Sequence, residues 1–312
     1  MTRGLLTMQQ ERTAGQALTR REFVATTLGA GLAAFSQPGS NRPPQRESLP
    51  TVPFGPYRIS RLVVGGNPIS GHSHWSPERD EEMMDYFSAA NVKALLRRCE
   101  ELGINTWQSR GDAHIRRLLR EYRNEGGTIQ WIAQTASEYA DLRRNIRDIA
   151  RMRPIAIYHH GSRTDRLWQE GQIESLRDLL KEIRDTGALV GVGSHIPEAL
   201  EYVEERGWDV DFYMACFYNV NRRVEGKEAY LPEDRERMVR FIRSTPKPCL
   251  AFKVLAAGRN ASTPRDVREA FAYAFANLKP NDAIVVGMFP KYKDEAAENA
   301  AIVRELLLGR SG

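Results

Sequence analysis

All six histidines of the chain follow short segments whose residue pattern is typical of β-strands. In chain order they are His72, His74, His114, His159, His160 and His195. Imidazole changes its charge near neutral pH and is a frequent metal ligand, so these side chains could act as acid/base groups or bind a divalent cation. We predict catalytic roles for His114, His160 and His195. As ligands of a divalent metal we predict His72, His74, His160 and His195.

His72 and His74 have the spacing of a chelating pair, although hydrogen bonding or substrate contact would explain the same spacing. His159 and His160 are adjacent at the end of a predicted strand, so their side chains must point to opposite faces. We expect His160 to face the site, because Gly161 opens the following loop, and we expect His159 to pack under a helix.

Lys253 interrupts the apolar segment 250–255, which is otherwise typical of a buried strand. A lysine in such a strand is paired or has a lowered pKa, which suits a Schiff base, a general base or contact with an anion. The alternative is a side chain that extends to solvent at the rim. We include Lys253 among the catalytic candidates. Polar residues that follow the same predicted strands are candidates for substrate binding: Asn67, Gln108, Arg110, Asp112, Gln134, Asn219 and Arg259.

The elements that would position these residues alternate along the chain from residue 58 onward. Eight short apolar segments are predicted strands: 62–65, 105–108, 129–134, 155–159, 189–193, 212–217, 250–255 and 284–287. Segments with helical periodicity follow them: 91–102, 114–124, 140–152, 172–185, 197–206, 232–244, 264–278 and 294–308. This order predicts a (β/α)8 TIM barrel, with the histidines at the strand ends where such barrels hold their active sites. An open, doubly wound sheet is the alternative, but no glycine-rich dinucleotide-binding motif follows the first strand.

Residues 19–24 (TRREFV) resemble the twin-arginine export motif, and an apolar run over 24–35 follows them. The run is shorter than the roughly 20 residues that span a bilayer, and it ends in small residues near Ser36. We therefore predict a signal peptide over 1–36, a flexible linker over 37–55 and the barrel over 56–312. We expect the twin-arginine translocation machinery to export the protein to the periplasm or beyond, with no stable membrane anchor after cleavage. An ordinary amphipathic N-terminal helix is the alternative.

The composition favours a globular protein with a small-molecule substrate over one with a nucleic-acid partner. The chain has 312 residues, 41% of them hydrophobic, and its net charge of +5 forms no basic stripe interleaved with aromatic residues. Three cysteines are too few for a disulfide scaffold. Cys216 and Cys249 lie in neighbouring predicted strands and could either pair or remain buried thiols.

Several segments resemble the aldo/keto reductase superfamily, and the resemblance covers most of residues 58–308. The segments that resemble its first, second, fourth and sixth strands are 60–66, 102–107, 157–161 and 217–222. Residues 65–71 and 252–259 are similar to a divergent branch of exported proteins with the same fold. The resemblance implies a (β/α)8 barrel of the aldo/keto reductase type.

Members of that superfamily reduce carbonyl compounds with NADP(H) and use a tetrad of Asp, Tyr, Lys and His. Matched residue by residue, this chain has Gln108 in place of the aspartate, His114 in place of the tyrosine and Gln134 in place of the lysine. His160 matches the histidine. The segment 286–291 has no evident match to the residues that bind the 2′-phosphate of NADP(H). The resemblance therefore implies an inherited fold with changed chemistry.

We predict an exported barrel enzyme that acts on a small carbonyl or sugar-like substrate by histidine acid/base or metal-assisted chemistry of the isomerase, lyase or hydrolase type. One alternative is an NADP(H)-dependent oxidoreductase with a modified tetrad, in which His114 donates the proton. A second is a Schiff-base lyase that uses Lys253, and a third is a non-catalytic periplasmic binding barrel. The sequence leaves the cofactor open between a divalent metal and NADP(H).

Overall fold

Eight parallel strands close into a barrel in the computed structural model, which describes residues 48–309. The predicted signal peptide over 1–36 and the linker residues 37–47 lie outside the described residues. The described strands, in chain order, are β1 (Thr51–Phe54), β2 (Tyr57–Ser60), β3 (Leu62–Gly65), β4 (Thr106–Arg110), β5 (Gln130–Gln134), β6 (Ala156–His159), β7 (Leu189–Ser194), β8 (Phe212–Cys216), β9 (Arg223–Val224), β10 (Lys227–Glu228), β11 (Cys249–Phe252) and β12 (Ala283–Gly287).

Helices connect the barrel strands and pack around them. In chain order they are α1 (Pro77–Tyr86), α2 (Ala89–Glu101), α3 (Ala113–Asn124), α4 (Leu142–Ala150), α5 (Gly161–Gln169), α6 (Leu176–Arg184), α7 (Pro197–Glu205), α8 (Pro232–Ser244), α9 (Pro264–Asn277) and α10 (Glu295–Leu308). None of these helices combines the length and apolar character that crossing a membrane requires.

The barrel strands follow the order β3–β4–β5–β6–β7–β8–β11–β12, and β12 pairs with β3 to close the ring. Each corresponds to one of the eight predicted strands, so the prediction of a (β/α)8 barrel is confirmed. The strands are buried on both faces, because inward-facing side chains fill the barrel while outward-facing ones pack against the helices. All carboxyl ends of the barrel strands therefore meet at one end of the molecule.

Two helices, α1 and α5, have no counterpart in the prediction from sequence. Helix α1 buries Met83 alone, and α5 buries Gly161, Thr164 and Asp165. Neither pattern contains the apolar stripe by which an amphipathic helix is recognised in a sequence. Helix α5 bears directly on function, because it carries Asp165 to the end of the barrel.

The antiparallel hairpin β1–β2 lies against the amino-terminal end of the barrel. Val52, Phe54 and Ile59 are buried in one apolar cluster with inward-facing barrel residues such as Phe212. The predicted linker over 37–55 and the barrel boundary at 56 are therefore corrected, because Thr51–Phe54 is part of the folded barrel. The segment is short and has prolines and a glycine in and around it, which is why its composition resembles that of a linker.

A second, very short hairpin lies in the long loop between β8 and α8. Its strands β9 and β10 pair antiparallel, with Val224 opposite Lys227 and Arg223 opposite Glu228. Val224 is exposed, whereas Glu228 is partly buried. The hairpin thus turns an acidic side chain toward the carboxyl end of the barrel.

The three cysteines, Cys99, Cys216 and Cys249, are buried free thiols. Cys216 and Cys249 therefore remain buried thiols and do not form a disulfide with each other. Burial raises the pKa of the Cys216 thiol to about 12, so it is protonated and a poor nucleophile at neutral pH.

Replacing Phe54 by alanine should lower the free energy of unfolding by about 3–5 kcal/mol, the usual cost of truncating a buried aromatic side chain. The ring is 1% exposed and packs edge-on against Phe212, with 4.9 Å between the ring centroids. Chemical denaturation followed by circular dichroism would measure the change. Tyr57→Ala in the same hairpin is the matched control, because Tyr57 is 37% exposed. Equal losses in the two variants would contradict a packing role for the hairpin.

Candidate active site

A cavity of about 680 Å³ opens at the carboxyl ends of the barrel strands. Most of the residues predicted from the sequence as site residues line it. They are Asn67, His72, His74, Gln108, Arg110, Gln134, His160, His195 and Lys253. These residues come from six different strands or the loops after them, and the closed parallel barrel brings all those ends to one face.

Four of the predicted residues lie outside the cavity wall, and two of them follow β4. His114 is exposed in the first turn of α3, and Asp112 caps that helix by accepting a hydrogen bond from the amide of Ile115 at 2.8 Å. The chain turns outward into the helix directly after Arg110. The prediction of His114 as a proton donor and of Asp112 as a substrate contact is therefore corrected.

Arg259 and Asn219 are the other two, and both support loops around the cavity. The Arg259 guanidinium lies 4.0 Å from the ring centroid of Tyr230 and 5.1 Å from that of Trp75. The side chain of Asn219 accepts a hydrogen bond from the amide of Asn221 at 3.3 Å. These contacts stabilise the loops after β3, β8 and β11, so we replace the predicted substrate contacts by a loop-supporting role.

His195 lies just after β7 and is held by the buried carboxylate of Asp165. Its Nδ1 donates to Asp165 Oδ2 at 2.6 Å, and its backbone amide donates to Asp165 Oδ1 at 3.0 Å. Ser194 Oγ also donates to Oδ1, and Asn221 Nδ2 donates to Oδ2 at 2.9 Å. With the proton on Nδ1, the Nε2 atom of His195 carries the free lone pair, which is the arrangement of a general base.

Asp165 is an anion at neutral pH although it is only 1% exposed. Burial favours its protonated form, but the hydrogen bonds from His195, Asn221 and Ser194 outweigh burial and hold the pKa of this carboxyl below its usual value. The charge fixes the orientation of the imidazole and stabilises the imidazolium that forms when His195 accepts a proton. The sequence analysis missed Asp165, because the polar sequence of α5 has no pattern that marks a buried position.

His74, in the loop after β3, forms a second carboxylate–histidine pair with Glu228. Its Nδ1 lies 3.1 Å from both carboxylate oxygens of Glu228, which also accepts a hydrogen bond from the Tyr230 hydroxyl at 2.8 Å. Burial opposes the ionisation of Glu228, but the hydrogen bond from His74 prevails and lowers the pKa of Glu228 to about 2. Burial also lowers the pKa of His74 and outweighs the hydrogen bond to Glu228, which acts in the opposite direction, so the imidazole is neutral at neutral pH.

Glu228 was missed for a different reason. It is separated from His74 by 154 positions in the chain, and nothing in its local sequence distinguishes it from the other acidic residues of an exposed loop. Only the folding of the loop after β8 over the barrel end brings the two side chains together.

Lys253 directly follows β11. Its backbone φ is 57°, a left-handed conformation that lysine rarely adopts. Its Nζ is buried and has no hydrogen-bond partner among residues 48–309. Burial lowers the pKa of this amine, and the neighbouring Cys216 and Glu228 oppose that effect only in part. Backbone strain and an unpaired buried amine both cost stability, and such costs concentrate at functional sites.

Uncharged side chains form the floor of the cavity. Gln108 Nε2 donates to the hydroxyl of Tyr158 at 2.7 Å, and Gln134 hydrogen-bonds the same hydroxyl. Gln108 and Tyr158 are both buried, and burial raises the pKa of Tyr158, so its hydroxyl is neutral at neutral pH. No charged side chain contacts this hydroxyl within the described residues, so the floor can bind polar groups but supplies no acid/base group.

Arg110 and His72 form one side of the cavity wall. Arg110 Nη1 donates to His72 Nε2 at 2.8 Å, and Nη2 contacts the carboxylate of Glu138. Burial and the charge of Arg110 lower the pKa of His72, so this ring is a neutral hydrogen-bond acceptor. His72 is thus bound to the guanidinium and does not join His74, whose Nε2 lies 3.4 Å from Asn67 Nδ2.

His160 lines the cavity whereas His159 does not, as strand alternation predicts. His159 is 1% exposed, and its Nδ1 lies 2.8 Å from Thr164 Oγ1. His160 Nδ1 accepts a hydrogen bond from the amide of Ser162 at 3.1 Å and so caps α5. Burial, with the charge of His195, lowers the pKa of His160 to about 3. At neutral pH it is a neutral group that can contact a substrate.

The four predicted metal ligands do not form a metal site. No group of three or more His, Cys, Asp or Glu side chains in the described part of the chain is arranged to hold a metal ion. The rings have separate partners instead: His72 bonds Arg110, His74 bonds Glu228, His160 caps α5 and His195 bonds Asp165. The prediction of a metal bound by His72, His74, His160 and His195 is therefore corrected.

The outer arm of the cavity has no excess positive charge at which the additional phosphate of NADP(H) would bind. It runs between the loop after β11 and helices α9 and α10, and its charged lining residues include Lys293, Glu295 and Glu298. Lys293 pairs with Glu298 at 2.7 Å, and Glu295 accepts a hydrogen bond from the amide of Phe289. Arg79 lines the same arm and its charge acts on Glu295, so two cations and two carboxylates face one another there. The arm therefore has no excess positive charge for the additional phosphate of such a dinucleotide.

No family model matches the chain, and no curated protein matches it. Among solved structures, the chain is similar to Gox0644 in its apo form (TM-score 0.52, 12% identity, 85% of this chain and 97% of that chain). It is also similar to a truncated 3-deoxy-D-arabino-heptulosonate 7-phosphate synthase from Thermotoga maritima (TM-score 0.51, 12% identity, 83% and 91%). Aldo-keto reductase AKR11C1 from Bacillus halodurans matches with a TM-score of 0.48 (13% identity, 83% and 96%). Identities this low show a shared barrel fold and nothing more specific.

His159 should make the protein less stable in mild acid. Burial lowers its pKa to about 3, whereas the unfolded chain has a histidine pKa of about 6.5. Below pH 6.5, His159 therefore binds a proton in the unfolded chain but not in the folded protein. The free energy of unfolding falls as the pH falls toward 3. We expect His159→Gln to flatten this slope by about 1 kcal/mol per pH unit between pH 6 and 4. Urea denaturation at several pH values would measure it.

The exposed His114 provides the control for this measurement, and His114→Gln should keep the wild-type slope. Equal slopes for His159→Gln and the wild type would contradict the buried neutral state of His159.

Lys253→Met should raise the free energy of unfolding by about 1–3 kcal/mol, because it removes a buried amine without a hydrogen-bond partner and keeps an unbranched side chain. For a domain of this size, the melting temperature should rise by about 2–4 °C per kcal/mol. Lys279→Met is the matched control and should lower the free energy of unfolding, because Lys279 pairs with the fully buried Asp282 at 2.9 Å. A Lys253→Met variant that melts lower than the wild type would show that the amine stabilises the fold.

Proposed function

We propose that the protein is an enzyme that transfers protons on a small hydroxylated carbonyl compound, such as a sugar-like aldehyde or ketone, in an isomerase- or lyase-type reaction. The observation that supports this most strongly is the presence of two carboxylate-held histidines in one cavity, His195 with Asp165 and His74 with Glu228. The barrel fold is compatible with many reactions, so the proposal depends on these side chains and not on the fold.

His195 is the proposed base for the carbon next to the carbonyl group. The hydrogen bond from Nδ1 to Asp165 leaves Nε2 as the ring nitrogen that faces a substrate, and the buried anion compensates the positive charge that the ring acquires on accepting a proton. The phenyl ring of Phe252 packs edge-on against the imidazole, with 5.5 Å between the centroids, and shields one side of it from water. An oriented and partly desolvated imidazole suits removal of a weakly acidic C–H proton.

His74 is the proposed partner for the oxygen atoms of the substrate. Its ring is neutral, and Glu228 fixes it with Nδ1 as the donor, which leaves Nε2 to accept a proton from a hydroxyl group and return it. The strands that precede the two histidines, β3 and β7, lie four places apart in a ring of eight. The two proton-transfer groups thus come from opposite sides of the barrel, and the substrate can lie between them.

The remaining cavity wall favours a hydroxylated substrate over a purely apolar one. The side-chain amides of Gln108, Gln134 and Asn67 each offer both a donor and an acceptor, as recognition of hydroxyl groups requires. Trp75 lines the mouth and is 59% exposed, so its ring is available to stack on the C–H face of a sugar-like molecule. Export by a twin-arginine signal to the periplasm or beyond remains part of the proposal and depends on the sequence of residues 1–36 alone.

Proton exchange in D2O, followed by ¹H NMR over a panel of small hydroxylated aldehydes and ketones, tests this function. We expect the wild type to exchange the hydrogen next to the carbonyl group of at least one compound. His195→Gln and His74→Gln should each slow that exchange by roughly 100-fold or more, the usual contribution of a general acid or base. Asp165→Asn should slow it comparably, because the amide cannot compensate the imidazolium charge.

His114→Gln should keep the wild-type exchange rate, since His114 is exposed and outside the cavity wall. Undiminished exchange in both His195→Gln and His74→Gln would refute the proposed roles. Binding of a panel compound without any exchange would instead favour the non-catalytic binding barrel.

A further inference from the structure

Lys253 differs from every other lysine of the chain. The sequence has eight lysines, all within residues 48–309. Six of them pair with carboxylates: Lys93, Lys181, Lys247, Lys279, Lys291 and Lys293. Lys227 is exposed in β10. Lys253 alone combines a buried Nζ, the lack of a hydrogen-bond partner among the described residues and a place in a cavity wall.

The surroundings of Lys253 bury its Nζ without providing a counter-ion at contact distance. Its Nζ lies 5.9 Å from the ring centroid of Tyr230, and the buried thiol of Cys216 is also close enough to act on it electrostatically. The nearest carboxylate, that of Glu228, is bound to His74 and Tyr230. An amine in such a place is driven toward its neutral form, which is the nucleophilic form.

From this geometry we infer that Lys253 is a covalent binding site, whose amine forms an imine with the carbonyl carbon of the substrate. The backbone at Lys253 is left-handed, with a φ of 57°, and this conformation adds to the energetic cost of the buried amine. The conformation turns the residue after Phe252 into the cavity at the point where the strand ends. The inference rests on the proposed function and names its substrate class more closely, as aldehydes and ketones that form imines.

The covalent step is redox-neutral. The Nζ lone pair attacks the carbonyl carbon, the C–O π electrons move to oxygen, and a proton passes from nitrogen to that oxygen to give a carbinolamine. The hydroxyl group then leaves as water after taking up one further proton from solvent, and a C=N⁺ double bond forms. His74 lines the same cavity as Lys253, and we assign the relay of both protons to it.

The iminium ion increases the acidity of the neighbouring C–H bond, since the electrons left by the departing proton move toward the positively charged nitrogen. His195 accepts that proton, and an enamine forms. Reprotonation of the enamine followed by addition of water reverses the sequence and frees the lysine. Every atom is supplied by the substrate, the chain and water, so no oxidant or reductant is needed.

Reductive trapping tests the covalent step. Full-length protein is incubated at pH 7 with sodium cyanoborohydride and either dihydroxyacetone or pyruvate, and its peptides are then analysed by mass spectrometry. We expect Lys253 to gain the mass of the probe less one oxygen atom. The rate should be at least about tenfold higher than for the exposed Lys181, because each unit by which a pKa is lowered raises the neutral fraction of an amine about tenfold.

Two variants of Lys253 distinguish loss of the nucleophile from loss of the fold. Lys253→Met and Lys253→Arg should both lose the adduct and the associated turnover, while thermal melting confirms that each is folded. Lys181→Met is the matched control and should keep the adduct on Lys253. His74→Gln should slow trapping without abolishing it, because it removes the proton relay and leaves the nucleophile.

The inference would be overturned if Lys253 were labelled no faster than Lys181 with both probes. Full turnover in Lys253→Arg would overturn it as well, because it would identify the group as an ammonium that binds an anion. The outcome is separable from that of the proposed function. Exchange that depends on His195 but occurs without trapping would leave the acid/base roles intact and remove the imine. Trapping at Lys253 without exchange would support the covalent site and refute the acid/base roles.

Discussion

The hydrogen bonds to the buried carboxylate of Asp165 are the interaction on which the proposed site depends most. A carboxylate that is 1% exposed would be protonated without compensating donors, and a neutral carboxyl group could not stabilise a charged imidazole. The donors come from His195 and Ser194 at the end of β7 and from Asn221 in the loop after β8, while the carboxylate itself belongs to α5. One anion therefore joins three elements and fixes the base that we assign to proton removal.

In the second carboxylate–histidine pair, Glu228 orients His74 as Asp165 orients His195, but the two side chains are less buried. Glu228 holds His74 and accepts a hydrogen bond from Tyr230, whose ring in turn carries the Arg259 guanidinium on its face. The loop after β8 thus supplies both Asn221 to the first pair and Glu228 to the second. This coupling explains why residues such as Arg259, which do not line the cavity, still bear on its chemistry. Lys253 lies near the same loop, and its amine makes no direct contact with the carboxylate of either pair.

The groups to which we assign proton transfer and imine formation occupy other positions than those in the tetrad that the sequence resemblance implies. That tetrad would lie after the second, third and fourth barrel strands, where this chain has Gln108, Gln134 and the neutral His160. The proton-transfer groups that we propose instead follow β3 and β7, and the amine follows β11. The closed barrel allows such a shift because every strand ends at the same face, so a change of residue at any strand end reaches the same cavity.

The eight barrel strands and, through them, most of the cavity wall could be predicted from the sequence. Apolar runs of strand length alternated with helical periods, and closure of parallel strands then placed their polar end residues together for geometric reasons. The choice of His160 over His159 as the residue that faces the cavity followed from side-chain alternation together with the glycine that opens the next loop. Local patterns were sufficient for these features because each depends on residues that are neighbours in the chain.

Which of those side chains are partners, and which of them are charged, depends on the folded barrel. Asp165 and Glu228 could not be found from sequence, since one lies in a helix without an apolar stripe and the other in a loop far along the chain from His74. The expected metal ligands separated because each imidazole bonds a different neighbour, and His114 turned outward because the chain enters α3 directly after β4. The pKa of a side chain depends on burial and on contacts between residues distant in the chain, and these exist only in the folded barrel. The histidines were visible in the sequence, whereas the carboxylates that turn two of them into candidate bases became visible only through the fold.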